Sequence, residues 1–120
     1  MSKYNKKLGR WGEELAEKYY QGKGYKFLTK NWSTREGEID LIFCKNKDLI
    51  FVEVKTRTTT IFGYGEQAVN DRKKEKIKKA IKEYRLKNEK FDDYFPRFDI
   101  LVVELNNLAP KFICYENVIL

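Results

Sequence analysis

The order of hydrophobic periods constrains this chain more than any single residue does. A helical period over residues 6–21 gives way to three runs of period two, a second helical period opens near residue 70, and two strand-like runs follow. In the first helix Leu8, Trp11, Leu15 and Tyr19 recur at i, i+3, i+7 and i+11, with Gly22 and Gly24 ending it. Strands are expected over 25–32, 38–44 and 49–57, separated by Ser33-Thr34-Arg35-Glu36-Gly37 and by the turn Lys45-Asn46-Lys47-Asp48. Asn70 or Asp71 caps the second helix, which runs to Lys87 with an apolar stripe of Ile77, Ala80, Ile81 and Tyr84. Strands over 96–105 and 111–118 flank a turn at Asn106-Asn107. The order α-β-β-β-α-β-β predicts an α/β fold, a mixed β-sheet flanked by helices. With 120 residues and no repeat or linker, the expectation is one domain over 1–120.

Composition then narrows the chemistry. The chain has no histidine, which removes His-based triads, HExxH zinc proteases and zinc deaminases. Its two cysteines, Cys44 and Cys114, lie in separate apolar stretches without zinc-ligand spacing and are read as buried core thiols. Apolar runs such as Leu41-Ile42-Phe43-Cys44 reach about four residues where a membrane span needs about 20. The basic N-terminus leads into a charged helix rather than an apolar signal region, so a cytoplasmic location without a membrane partner is expected. Catalysis in such a chain must run on carboxylates, amines, hydroxyls or a hard metal ion.

Charge is unevenly placed. The net +7 arises from a basic stretch over 1–30 (eight basic against three acidic residues) and another over 56–90 (eleven against five). Between them, 31–55 is slightly acidic, with five acidic against four basic residues. Two basic arms suit a polyanion, and an acidic centre suits a divalent cation.

Strand parity sharpens that centre. Glu53 and Lys55 share one face of their strand with Phe51 and Arg57, while Ile50, Val52 and Val54 share the other. A two-residue turn on Asn46-Lys47 sets Asp40 opposite Glu53 and Glu38 opposite Lys55. Facing carboxylates repel, and Mg²⁺ or Mn²⁺ would relieve that repulsion using the carboxylates, waters and phosphate oxygens. Lys55 adds a positive charge where a phosphate would sit, so the pattern points to phosphodiester cleavage.

Four motifs in order carry a resemblance covering nearly the whole chain. These are Gly9-Arg10-Trp11-Gly12-Glu13-Glu14-Leu15-Ala16, Gly37-Glu38-Ile39-Asp40-Leu41-Ile42, Phe51-Val52-Glu53-Val54-Lys55-Thr56-Arg57 and Arg97-Phe98-Asp99-Ile100. Together they resemble the YraN-type bacterial proteins, which are similar to archaeal Holliday junction resolvases of the PD-(D/E)xK, restriction-endonuclease-like superfamily. The resemblance implies that fold, a metal held by Asp40, Glu53 and the Val54 carbonyl, and a catalytic set of Glu13, Asp40, Glu53 and Lys55. Ile39 stands where the superfamily's name has proline. By helix geometry Glu13 lies beside the small-residue line Gly9, Gly12 and Ala16, at the rim of a helix-to-sheet contact.

Around this set, Glu38 and Gln67 are candidate helpers, and Arg57, Lys73, Lys74 and Lys78 are candidate nucleic-acid contacts. Phe62 and Tyr64, in a glycine-punctuated loop over 58–66, could stack on bases. The reading is a Mg²⁺- or Mn²⁺-dependent endonuclease acting on structured or branched DNA, cytoplasmic and working as a homodimer on symmetric substrates. The alternative is a nucleic-acid-binding module of repair or recombination that does not cut.

Overall fold

In the computed structural model, residues 3–58 and 70–120 are described. The elements follow in the order α1 (Lys3–Gly22), β1 (Lys26–Ser33), β2 (Glu38–Lys45), β3 (Asp48–Thr58), α2 (Asp71–Lys87), β4 (Phe95–Leu105) and β5 (Lys111–Tyr115). A 3-10 turn, Glu89–Phe91, leads from α2 towards β4. The expected α-β-β-β-α-β-β order is therefore observed. The strands form one mixed sheet in sequence order, β1-β2-β3-β4-β5, with β3 and β4 parallel and every other neighbour antiparallel. The parallel pair follows from connectivity, because α2 carries the chain back across the sheet between β3 and β4.

Local chemistry accounts for the boundaries. The β2–β3 hairpin turns on Asn46 and Lys47, whose φ values of 50° and 75° belong to the primed turn that matches strand twist. The resulting register pairs Leu41 with Val52 and Lys45 with Asp48, as the turn predicts. Helix α2 begins at Asn70, whose side-chain oxygen accepts from the Lys73 N–H. Strand β5 is shorter than the expected 111–118. Asn117 adopts φ 53°, a conformation asparagine tolerates, and the tail then bonds to the start of β4 through Asn117 N–H to Asp99 and Val118 N–H to Phe98.

Two apolar layers sandwich the sheet. Ile77, Ala80, Ile81 and Tyr84 of α2 pack on Ile42, Leu49, Phe51, Phe98 and Ile100. On the opposite face Ala16 and Tyr20 of α1 pack on Leu41, Phe43, Ile50, Val52, Leu101 and Val103. This explains why Leu49, Ile50, Phe51 and Val52 are consecutively buried: successive side chains enter different layers. The α2 stripe is the one expected, whereas the α1 stripe is rotated. Trp11 is 52% exposed, and the buried line runs through Gly12, Ala16 and Tyr20. Small residues let the α1 backbone approach the sheet, and an indole on that line would hold it away. The cysteines also differ from expectation, since both are only half-buried. Cys114 Sγ lies 3.5 Å from the Tyr20 hydroxyl, at the margin of the α1 layer.

Among the described residues one acidic side chain, Asp99, is wholly buried. Asp99 accepts from Arg97 Nε and Nη2 at 3.0 and 2.9 Å, from the Tyr20 hydroxyl at 2.8 Å and from the Asn117 N–H at 3.0 Å. These donors satisfy a buried carboxylate and tie α1, β4 and the C-terminal tail together. The motif Arg97-Phe98-Asp99-Ile100 is thus a structural latch.

Candidate active site in a forked sheet

The β2–β3 ladder stops at Leu41 and Val52, although both strands continue. Beyond that point Glu38 and Ile39 pair only with Ser33 and Trp32 of β1, while Glu53 to Thr58 pair only with β4. The sheet therefore forks, and the expected cross-strand pairs Asp40–Glu53 and Glu38–Lys55 are not ladder neighbours. Asp40 bridges the fork instead, with Oδ2 accepting from the Val54 N–H at 2.8 Å. A side chain thereby replaces the missing ladder bond.

Asp40 and Glu53 nevertheless meet, because their carboxyl groups face one another within hydrogen-bonding reach. Burial, then the hydrogen bond and charge of Glu53, push the Asp40 carboxyl up to about 9. Burial would also raise Glu53, but the hydrogen bond from Asp40 and the Lys73 ammonium outweigh it and hold Glu53 below its ordinary value. The pair therefore shares a proton, and the Lys73 ammonium beside Glu53 favours the negative charge on that side. Lys73 Nζ lies 3.0 Å from Glu53 Oε2, whose side chain is 12% exposed. Lys55 feels both carboxyls, and its own burial, then the adjacent Lys73, lower its pKa.

Glu13 approaches from the α1 side. Gly12 places it there: a Cβ at Gly12 would lie 2.9 Å from Thr56 Cβ and overlap the Thr56 hydroxyl, so only glycine lets this turn rest on β3. Burial, followed by the charges of Glu38 and Glu53, raises the Glu13 pKa, while Lys30 and a hydrogen bond with Asn31 oppose the rise. Glu13 lines a hollow of about 80 Å³ with Arg10, Lys30 and Asn31. It influences the carboxyl pair electrostatically, but no cluster of three or more metal-ligating side chains exists among the described residues.

On the α2 side the fork opens into a cleft of about 380 Å³ lined by Gly37, Glu38, Glu53, Asn70, Arg72, Lys73, Lys76 and Ile77. An acidic floor thus faces a basic wall. Lys74 lies on the same first turns, and Lys78 forms an exposed pair with Glu75 at 3.3 Å. Arg57 Nε pairs with Glu104 Oε2 on the neighbouring strand at 3.1 Å. Gln67, Phe62 and Tyr64 lie outside the described residues, as does most of the 58–66 loop.

The donor set suits a hard divalent ion. Two carboxyls forced to share a proton mark a place where a cation would relieve the strain, and Mg²⁺ is commonly held by one or two carboxylates with water completing its shell. Asp40, Glu53 and the Val54 carbonyl would hold it.

The sequence reading grouped Lys73 with the other α2 lysines and missed its partnership with Glu53. The signal was present, since Lys73 lies four residues before Ile77 and so extends the buried stripe Ile77, Ala80, Ile81 and Tyr84. A charged residue on that line must find a partner under the helix. Asn31 and Lys30 were also missed, because a bulge between Phe27 and Thr29 decides where β1 presents them.

Comparison with known proteins places the chain in a family. Residues 12–103 match the model of Uncharacterised protein family UPF0102. A UPF0102 protein of Caldanaerobacter subterraneus subsp. tengcongensis is 47% identical over 107 residues, covering 88% of this chain and 87% of the relative. Those of Syntrophomonas wolfei and Alkaliphilus oremlandii are 46% and 45% identical, covering 84% and 94% of this chain and 85% and 97% of theirs. The chain belongs to the UPF0102 family. No helix among the described residues is long and apolar enough to cross a membrane.

Proposed function

We propose that this member of the UPF0102 family is a divalent-metal-dependent endonuclease of the restriction-endonuclease-like type, cleaving phosphodiester bonds in structured or branched DNA. The observation that carries the reading is the Asp40–Glu53 carboxyl pair beside Lys55 in the sheet fork, opening to a cleft walled by Arg72, Lys73 and Lys76. Mg²⁺ or Mn²⁺ held by Asp40, Glu53 and the Val54 carbonyl would polarise the scissile phosphate and offset its developing charge. Lys55, held among carboxyls, supports the same charge from a fixed position and orients the attacking water. The basic residues of α2 hold the phosphate backbone without reading bases, so the substrate is selected by shape more than by sequence. Glu13 tunes the proton affinity of the pair from the α1 side.

Symmetric cutting of a four-way junction needs two such sites, and the proposal therefore includes pairing of two copies in the cytoplasm. The test is cleavage of end-labelled single strand, duplex, flap and four-way junction with Mg²⁺, Mn²⁺ or EDTA. Metal-dependent cutting, lost in Asp40→Ala and Glu53→Gln while salt-sensitive binding persists, supports the proposal. Binding without cutting under every ion moves the assignment to a non-cleaving module of repair or recombination.

A further inference from the structure

Lys73 stands apart from the other lysines of α2 because it is committed to a partner inside the site. Its Nζ lies 3.0 Å from Glu53 Oε2, and its backbone N–H is held by the Asn70 cap at 2.9 Å, so the first helical turn sets the root of the side chain beside β3. Its side chain is 39% exposed and borders the open cleft, which leaves it free to swing outward. Glu53 is one of the two carboxyl groups at the floor of the fork and lines the same cleft, so the lysine sits on a group a divalent ion would need.

We propose that Lys73 is an internal counter-ion that a divalent metal must displace from Glu53, and that the displaced ammonium then takes a phosphate of the nucleic acid entering the cleft. This rests on the metal-dependent reading above and adds a residue the sequence motif does not contain. Two couplings follow. Lys73 competes with the metal in the free protein, which keeps the carboxyl floor neutralised until an ion arrives. Metal binding in turn releases a cation towards the substrate, so metal and nucleic acid strengthen each other's binding.

The experiment compares parent protein, Lys73→Gln, Lys73→Arg and Lys76→Gln. Lys76 lines the same cleft and serves as a control for general loss of charge. Mn²⁺ affinity is measured by calorimetry without nucleic acid, and binding of a fluorescein-labelled four-way DNA junction by anisotropy with Ca²⁺ or EDTA. Circular dichroism confirms that each variant is folded. Lys73→Gln is expected to bind Mn²⁺ at least about threefold more tightly than the parent, because no half-buried pair has to be broken. Lys73→Arg should remain near the parent, and Lys76→Gln should change much less than Lys73→Gln. The Ca²⁺-dependent gain in junction affinity should be several-fold smaller in Lys73→Gln than in the parent.

Equal Mn²⁺ affinity in the parent and Lys73→Gln overturns the inference while leaving the metal site standing. Equal tightening by Lys73→Gln and Lys76→Gln also overturns it, since the cause is then charge at a distance. An unchanged Ca²⁺ effect on junction binding overturns the transfer to phosphate. Absence of Mn²⁺ binding in all four proteins overturns the metal-dependent reading itself.

Discussion

Replacing Asp40 by asparagine should stabilise the protein while destroying the site, with an effect that depends on pH in a defined direction. Burial, and then Glu53, pushes the Asp40 carboxyl up to about 9 from 3.8 for an ordinary aspartate. Its folded pKa is raised, so between those values the folded state holds a proton that the unfolded state has released. Stability therefore falls as pH rises through that window. One pKa unit corresponds to about 1.4 kcal/mol, but local relaxation and water entry reduce the full effect, leaving about 1–3 kcal/mol at pH 8. Asparagine keeps an oxygen for the Val54 N–H and an N–H₂ to donate to Glu53, so it imitates the protonated carboxyl without the titration. At about 4 °C per kcal/mol for a domain of this size, Asp40→Asn should melt roughly 4–12 °C above the parent in EDTA at pH 8. At pH 4 the two should nearly coincide, because both then present a neutral group. Thermal melts by circular dichroism across pH 4–9 measure this. A variant that melts at or below the parent at pH 8, or a difference that does not grow with pH, would refute the shared-proton account. Added Mg²⁺ should narrow the gap by stabilising only the parent.

Other substitutions test the supports of the site. Gly12→Ala should lose about 1–3 kcal/mol in urea titrations, because the new methyl meets Thr56 and α1 must lift from β3. Asp99→Ala should cost about 3–5 kcal/mol, since it leaves the Arg97 guanidinium, Tyr20 hydroxyl and Asn117 N–H without their common acceptor. Asn70→Ala should cost about 1 kcal/mol by loss of the α2 cap and should weaken the Lys73–Glu53 pair, read as a shift in Mn²⁺ affinity.

Wherever periodicity and turn chemistry act locally, the chain could be read directly. The α2 stripe, its Asn70 cap and the Asn46-Lys47 hairpin register are determined within a few residues and appear as expected. The same register set Asp40 opposite Glu53, but the ladder ends one pair earlier, and the two carboxyls come together across the fork instead. Trp11 was misplaced because helical period marks a face without saying how closely the helix approaches its sheet. Only Thr56, on another element, shows why that line belongs to Gly12 and Ala16.

By itself the sequence determined the elements, their order, the register of one hairpin and the chemical types available at the site. Tertiary structure alone decided that the β2–β3 ladder ends at Leu41 and Val52, so that Asp40 bridges a fork. It alone decided that Lys73, twenty residues from Glu53 along the chain, becomes its ion partner. Ladder length and ion pairing between elements depend on how two helices and a twisted sheet settle against one another. Such packing sums small contacts over the whole fold, and no short stretch of sequence contains that sum.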